Sequence, residues 1–292
     1  MIVDAHQHFW RYDAREYDWI DDELAAIRRD FLPEDLSREL GQAGVDAVVS
    51  VQARQTLVET NWLLDLAERN DFIAGVVGWV PLVSPTVAET LAGLAGHARL
   101  CGVRHVLQGE ADPEFAARRD FNEGIAALRG LGLAYDILIY ERQLPMATAL
   151  VDRHPDQVFV VDHVAKPRIR DGIVSPWRER MRELGRRPNV FCKLSGMVTE
   201  ADPRAWTHAS LEPYAHAVLE AFGPSRVMFG SDWPVCLAAC SYSQWLATVR
   251  ELCGGLSAAE RERVLGGTAR LAYGLGARGP AGGRPIVTGG KR

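Results

Sequence analysis

The chain carries two histidines one residue apart near its start, His6 and His8, a third at His163, and an aspartate, Asp232, in Phe229-Gly230-Ser231-Asp232-Trp233-Pro234. Imidazoles and a carboxylate can bind a divalent ion, take a proton from water, or hold an oxygen on which charge develops. Side chains two apart on an extended strand share a face, so His6 and His8 can aim at one point, a spacing that suits metal ligation. Each residue alone has a plainer role. An H-x-H pair can hydrogen-bond its neighbours, an aspartate before Trp-Pro can cap a loop, and a lone histidine is more often structural. The choice depends on whether the fold brings the four together.

Eight short apolar or β-branched runs recur along the chain: residues 2–5, 45–51, 73–80, 103–107, 133–139, 158–162, 190–194 and 227–230. Between most of them lie apolar residues at helical spacing, such as Trp62-Leu63-Leu64-Leu66, Phe121-Ile125-Leu128 and Tyr214-Val218-Phe222. Buried strands alternating with helices, eight times in a chain of 292 residues, predict a single α/β domain, a (β/α)8 TIM barrel, over residues 1–275. The competing doubly wound sheet would want a glycine-rich turn after the first strand, where His6-Gln7-His8 stands instead. In a barrel the eighth strand closes against the first. Asp232 would then lie beside His6 and His8, with His163 on the same C-terminal rim, where catalytic residues of this fold sit. The long segment Phe9 to Asp30, rich in aromatics and acids, is expected to lie over that mouth. The Gly/Pro-rich tail, 276–292, lacks the apolar residues to order itself.

With 47% hydrophobic and 24% charged residues the composition is that of a folded globular protein. A net charge of -5 without a run of Lys/Arg argues against nucleic acid as partner. The longest apolar run, 73–83, is too short to span a bilayer, and no basic-then-apolar leader opens the chain, so no membrane partner and a cytoplasmic location are expected. Five cysteines without a C-x-x-C pair argue against a disulfide framework or a zinc ribbon.

The H-x-H ending the first strand, His163 after the sixth and F-G-S-D-W-P ending the eighth resemble the amidohydrolase superfamily. V-D-A-H-Q-H-F-W, E-T-N-W-L-L, G-V-R-H-V-L-Q, V-D-H-V-A-K-P and K-L-S-G are similar to its sugar-lactonase branch, over nearly all of residues 1–275. That resemblance implies hydrolysis of an aldonolactone to the aldonic acid, L-fuconolactone or a related 6-deoxy or pentose lactone, a carboxylic-ester hydrolase of class EC 3.1.1. Binuclear members of the superfamily use a carboxylated lysine on strand four and histidines on strands five and six. Here strand four reads Val103-Arg104-His105-Val106-Leu107 and strand five lacks histidine, so two metals are not expected. One divalent ion on His6, His8 and Asp232 remains, zinc suiting two nitrogens and an oxygen; catalysis without a tightly held ion stays open.

Lactone hydrolysis needs a group to polarise the carbonyl, a base for water and an acid for the departing ring oxygen. Asp232 is assigned as the base that later returns the proton. His6, His8 and His163, or their metal, hold the carbonyl oxygen, and Lys193 adds a cation or serves a buried ion pair. Gln52, Arg54, Trp79, Gln108, Tyr140 and Trp233 fall at strand ends, where rings can stack on sugar C–H faces and polar groups can read hydroxyls. Arg104 and His105, placed early in strand four, are weaker candidates. Two rivals stand beside this reading. One is a hydrolase or decarboxylase of a dicarboxylate lactone, for which Arg54, Arg142 and Arg168 would have to converge. The other is a sugar-binding barrel without catalysis.

Overall fold

The valine-rich runs Ala47–Val51 and Ile73–Gly78 become strands because branched side chains pack well on a pleated surface buried on both faces. In the computed structural model, which describes residues 1–276 of the 292, they are β2 and β3 of an eight-stranded sheet. The others are β1 (Val3–Gln7), β4 (Leu100–His105), β5 (Ala134–Ile137), β6 (Phe159–Val161), β7 (Val190–Leu194) and β8 (Val227–Phe229). All consecutive pairs are parallel, in the order β1 to β8. A parallel bridge between Gln7 and Trp233 joins the last strand's exit to the first. The protein is therefore a (β/α)8 barrel.

The helices between strands are α1 (Pro33–Ala43), α2 (Leu57–Arg69), α3 (Val87–Leu94), α4 (Arg119–Gly130), α5 (Leu144–Arg153) and α6 (Trp177–Gly185). A short α7 (Met197–Glu200) and α8 (His208–Phe222) follow β7, and α9 (Tyr242–Leu252), α10 (Ala258–Glu262) and α11 (Thr268–Tyr273) follow β8. Thr56, Thr207 and Ser241 cap α2, α8 and α9 by accepting from the backbone N–H three residues on. Inside the barrel Val3, Ala5, Val49, Val51, Val77, Val160 and Met228 pack together, and Ala269, Ala272 and Tyr273 of α11 plug the end at which the strands begin. Among the described residues no disulfide joins the five buried cysteines, and no helix is long and apolar enough to cross a membrane. The tail expected to lack order lies, from residue 277 on, outside the described residues.

Two local departures from the sequence reading move the site. The fourth strand starts at Leu100, not Val103. Cys101-Gly102 has little intrinsic strand preference, but its ladders pair Leu100 with Val76 and Gly102 with Ala134. Arg104 and His105 therefore end β4 instead of lying mid-barrel. The first strand extends to Gln7 and is bulged, pairing Asp4 with Val48 but Gln7 with Ser50. The extra residue reverses the alternation, so His6 and His8 face inward although Val3 and Ala5 already do.

The segment from Phe9 to Asp30 is a packed cap. Trp10 and Phe31 form an antiparallel bridge, Trp10 Nε1 donates to the Arg29 carbonyl at 2.9 Å, and Tyr17, Ile20 and Ile27 are buried beneath. Glu16 on this segment pairs with Arg54 beyond β2, and the Trp10 ring lies 6.3 Å from His8, which fixes the cap over one side of the mouth.

Candidate active site

The seam between β1 and β8 is held from both sides. Within it, Asp232 N–H donates to the His6 carbonyl at 2.8 Å and His8 N–H to the Trp233 carbonyl at 2.7 Å. Behind it, the Asp4 carboxylate accepts from Ser231 N–H, His6 N–H and Tyr242 Oη at 2.8, 3.0 and 3.1 Å. Gly230 permits the close approach, since a Cβ there would lie 2.8 Å from the Cβ of His6. The result is a triangle of side-chain atoms: His6 Nε2 and His8 Nε2 are 3.1 Å apart, and Asp232 Oδ1 is 3.8 and 3.4 Å from them. Asp232 adopts a left-handed backbone, φ 56°, that turns its carboxylate to this point.

His163 arrives by a rarer route. Residues 163–166 are all left-handed, with φ of 51, 47, 60 and 48°, and none is glycine. Such residues, Val164 above all, are strained, and strain of this kind persists where the surrounding structure enforces it. Trp177 Nε1 donates to the Val164 carbonyl at 2.8 Å from outside, and Ser195 Oγ lies 2.9 Å from His163 Nδ1. Gly196 leaves the space: a Cβ would stand 2.6 Å from His163 Nδ1, and its own φ is 64°. The His163 ring centroid is 4.4 Å from that of His6, and its Nδ1 is 3.9 Å from Asp232 Oδ2.

Beneath these groups lies a layer of buried charge. Lys193 Nζ contacts Asp136 Oδ2 at 2.6 Å, Asp162 Oδ1 at 2.8 Å and His6 Nδ1 at 3.0 Å. Asp162 Oδ2 meets Arg104 Nη1 at 2.9 Å, and Tyr273 Oη donates to Asp136 at 2.8 Å. Arg104 Nη2 donates to the Gln52 carbonyl, and its Nη1 lies 3.4 Å from His6 Nε2. Lys193 thus enters the ion pair that its sequence position allowed, and it reaches the rim through the far side of His6. Asp136 and Asp162 are the residues sequence reasoning passed over, and Arg104, ranked there as a weaker candidate, joins them here. A charge inside a buried strand needs a partner, and that signal was present in Ala134-Tyr135-Asp136-Ile137.

Burial governs the protonation states. It pushes His163 down to about 4, and it holds His6, with the Lys193 charge beside it, well below the usual imidazole range. Both are neutral at pH 7. Burial opposes ionisation of Asp232, but the histidines around it, His163, His8 and His6, outweigh it, and the carboxyl stays below its ordinary range. Lys193 remains charged because Asp136 and Asp162 offset its desolvation.

The triangle fits a metal ion. Tetrahedral zinc with bonds of about 2.0–2.1 Å separates its ligand atoms by about 3.3 Å, close to the observed edges. His8 Nδ1 lies 2.8 Å from the Val51 carbonyl, which only accepts, so Nδ1 holds the proton and Nε2 presents a lone pair. His6 Nδ1 faces both an acceptor, Asp162 Oδ1 at 3.3 Å, and the donor Lys193. With its proton toward Asp162, the His6 Nε2 offers a second lone pair beside the Asp232 oxygen.

Around the mouth, Trp79 Nε1 and Gln108 Oε1 are buried without a hydrogen-bond partner in the protein. Gln52 is buried against Arg104, and the ring of Tyr140 lies beneath Lys166 at 5.5 Å. Trp233 packs on Phe31 and Phe9, at 5.1 and 6.1 Å, as part of the core under the cap. The arginines of the dicarboxylate rival have other partners: Arg54 pairs with Glu16, Arg142 lies 4.7 Å from the Tyr140 ring, and the exposed Arg168 pairs with Asp171 at 2.6 Å. His105 pairs with Glu110 at 2.6 Å and stacks on Phe115.

The chain has close relatives. An L-fucono-1,5-lactonase of Burkholderia multivorans is 44% identical over 286 residues, covering 94% of this chain and 96% of that protein. One from Burkholderia ambifaria is 42% identical over 274 residues, covering 91% and 93%. A crystal structure of an amidohydrolase from Burkholderia multivorans with bound zinc superposes with a TM-score of 0.91 at 43% identity, over 94% of this chain and 99% of that one. The family model described as Amidohydrolase matches residues 3–275, from the first strand to the end of the last helix. With its whole barrel inside that match, the chain belongs to the amidohydrolase family.

Proposed function

We propose that this protein hydrolyses a sugar lactone to the open-chain acid, an aldono-1,5-lactone of the L-fucono type being the substrate class its relatives' activity points to. The observation that carries this reading is one ionised, buried carboxylate, Asp232, within 3.8 Å of two histidine nitrogens on the rim of the barrel. Asp232 takes the proton from the attacking water and delivers it to the ring oxygen as the C–O bond breaks, so the same group is base and then acid. His163 and Arg104 donate toward the carbonyl oxygen as it gains charge, His163 as a neutral imidazole and Arg104 as a fixed cation. Lys193 acts through His6 as a positioning residue, fixing the ring between two charged neighbours. A divalent ion held by His6, His8 and Asp232 would supply Lewis acidity at this point. Trp79 Nε1 and Gln108 Oε1 offer an unused donor and acceptor to the sugar hydroxyls, with Gln52, Arg54 and Tyr140 as the further residues assigned to the substrate, while Trp233 supports the site from the core under the cap.

The test is proton release, followed with a pH indicator, from aldonolactones and from a dicarboxylate lactone, before and after chelation. Fast acid release from 6-deoxy sugar lactones is expected. Chelation is expected to reduce turnover without abolishing it, because Arg104 stays 3.4 Å from His6 Nε2. Silence on every sugar lactone would overturn the assignment.

A further inference from the structure

Near His163 and Asp232 stands a charged pair that neither the base nor the carbonyl-polarising groups require. Lys166 closes the left-handed turn after β6 with φ 48°, and its Nζ is 3.6 Å from Glu200 Oε1 at the end of α7. Tyr140, just past β5, has its ring 5.5 Å from the same ammonium. The side chains of Lys166 and Glu200 retain 19% and 24% exposure, so they are mostly desolvated yet open to a ligand. At 3.6 Å the two are attracted but not hydrogen-bonded, and each keeps its donors or acceptors for a third partner between them. The pair adjoins the chemistry. Burial and then Lys166 act on the Glu200 carboxyl, which also feels Asp232, while Lys166 is among the charges acting on His163.

The signs of these charges select the ligand. An anion entering here meets Glu200 and Asp232, and a cation meets Lys166. A neutral ring with several hydroxyls meets no repulsion, since its O–H groups donate to the carboxylate, its oxygens accept from the ammonium, and its C–H face packs on Tyr140. We propose that Lys166 and Glu200 read adjacent hydroxyls of the lactone ring and set the specificity for a neutral polyhydroxylated substrate. The proposal rests on the lactonase reading and deepens it. It also gives the strained turn a purpose, because a right-handed turn after His163 would send Lys166 elsewhere.

The experiment pairs substrate deletions with side-chain deletions. The wild-type protein, Lys166→Met and Glu200→Gln are assayed on an aldono-1,5-lactone and on its monodeoxy analogues, with melting curves to show that the variants fold. In the wild type, removing a hydroxyl held by the pair is expected to lower kcat/KM about 10–100-fold, the range for a hydrogen bond to a charged group. In each variant the parent lactone is expected to lose a similar factor, and the same deoxy analogue to lose little more than about threefold further. Wild-type discrimination retained by both variants across all analogues would overturn the role of the pair while leaving the lactonase reading intact. A wild type that releases no acid from the parent lactone would remove both.

Discussion

Two layers of polar side chains stacked in one barrel solve the problem of buried charge in opposite ways. The lower layer sets Lys193 and Arg104 against Asp136 and Asp162, with contacts of 2.6–2.9 Å and a further donor from Tyr273. Its charges sum to zero. The upper layer has one carboxylate, Asp232, beside His8 and the two imidazoles that burial keeps neutral, His6 and His163, and its nearest imidazole nitrogens are 3.4 Å or more away. A balanced cluster holds a shape; an unbalanced one keeps a charge available for a proton, an ion or a reacting carbonyl. The comparison teaches that proximity of charged groups does not itself mark chemistry. The distinguishing feature is which layer leaves a charge without a full partner.

The largest effect should come from removing that charge. Asp232→Asn is expected to lower kcat by about 10²–10⁴-fold, the usual worth of a positioned acid–base group. The melting temperature should stay level or rise. Asparagine tolerates the left-handed backbone at this position, its N–H bond to the His6 carbonyl is unchanged, and a desolvated charge disappears. Turnover near that of the wild type would refute the base assignment. The lower layer should behave in the reverse sense. Lys193→Met leaves two buried carboxylates without their shared cation, which is expected to cost about 3–5 kcal/mol of stability, measurable by urea unfolding. A variant as stable as the wild type would show that the lower layer does not depend on this pairing.

Much of this contrast was legible in the sequence, though unevenly. The strand–helix alternation predicted the barrel, and closure of the eighth strand on the first predicted that Asp232 would meet His6 and His8. The bulge in β1 was not legible, because Asp4 to Gln7 carries no glycine or proline to mark it and only the ladder to β2 reveals the extra residue. Arg104 was misplaced because strand four was sought in its β-branched half. The left-handed turn at 163–166 has no sequence signature at all, since none of its residues favours that backbone and tertiary packing imposes it. Asp136 and Asp162 were visible as charges in buried strands, but their partners lie on β7 and β4 and emerge only when the sheet closes.

A buried carboxylate outside both layers calibrates the comparison with a smaller effect. Glu59, in the first turn of α2 and 1% exposed, accepts from Arg54 N–H and Ala53 N–H at 2.8 and 3.0 Å, while the Arg54 guanidinium stays 3.9 Å away. Burial lifts its carboxyl to about 7 from the ordinary 4.5 against those hydrogen bonds. A folded-state value above the unfolded one means that the folded protein binds the extra proton between about pH 4.5 and 7, so this group's contribution to stability is lost as pH rises through that window. Glu59→Gln cannot ionise and keeps an acceptor for both N–H groups. Relative to wild type the variant should therefore gain up to about 3 kcal/mol between pH 5 and pH 8, read from urea unfolding at the two values. A pH-independent difference would mean that Glu59 is held as an anion like Asp162. Full pairing by a cation would then extend beyond the lower layer to the edge of the mouth, and Asp232 would be more singular still.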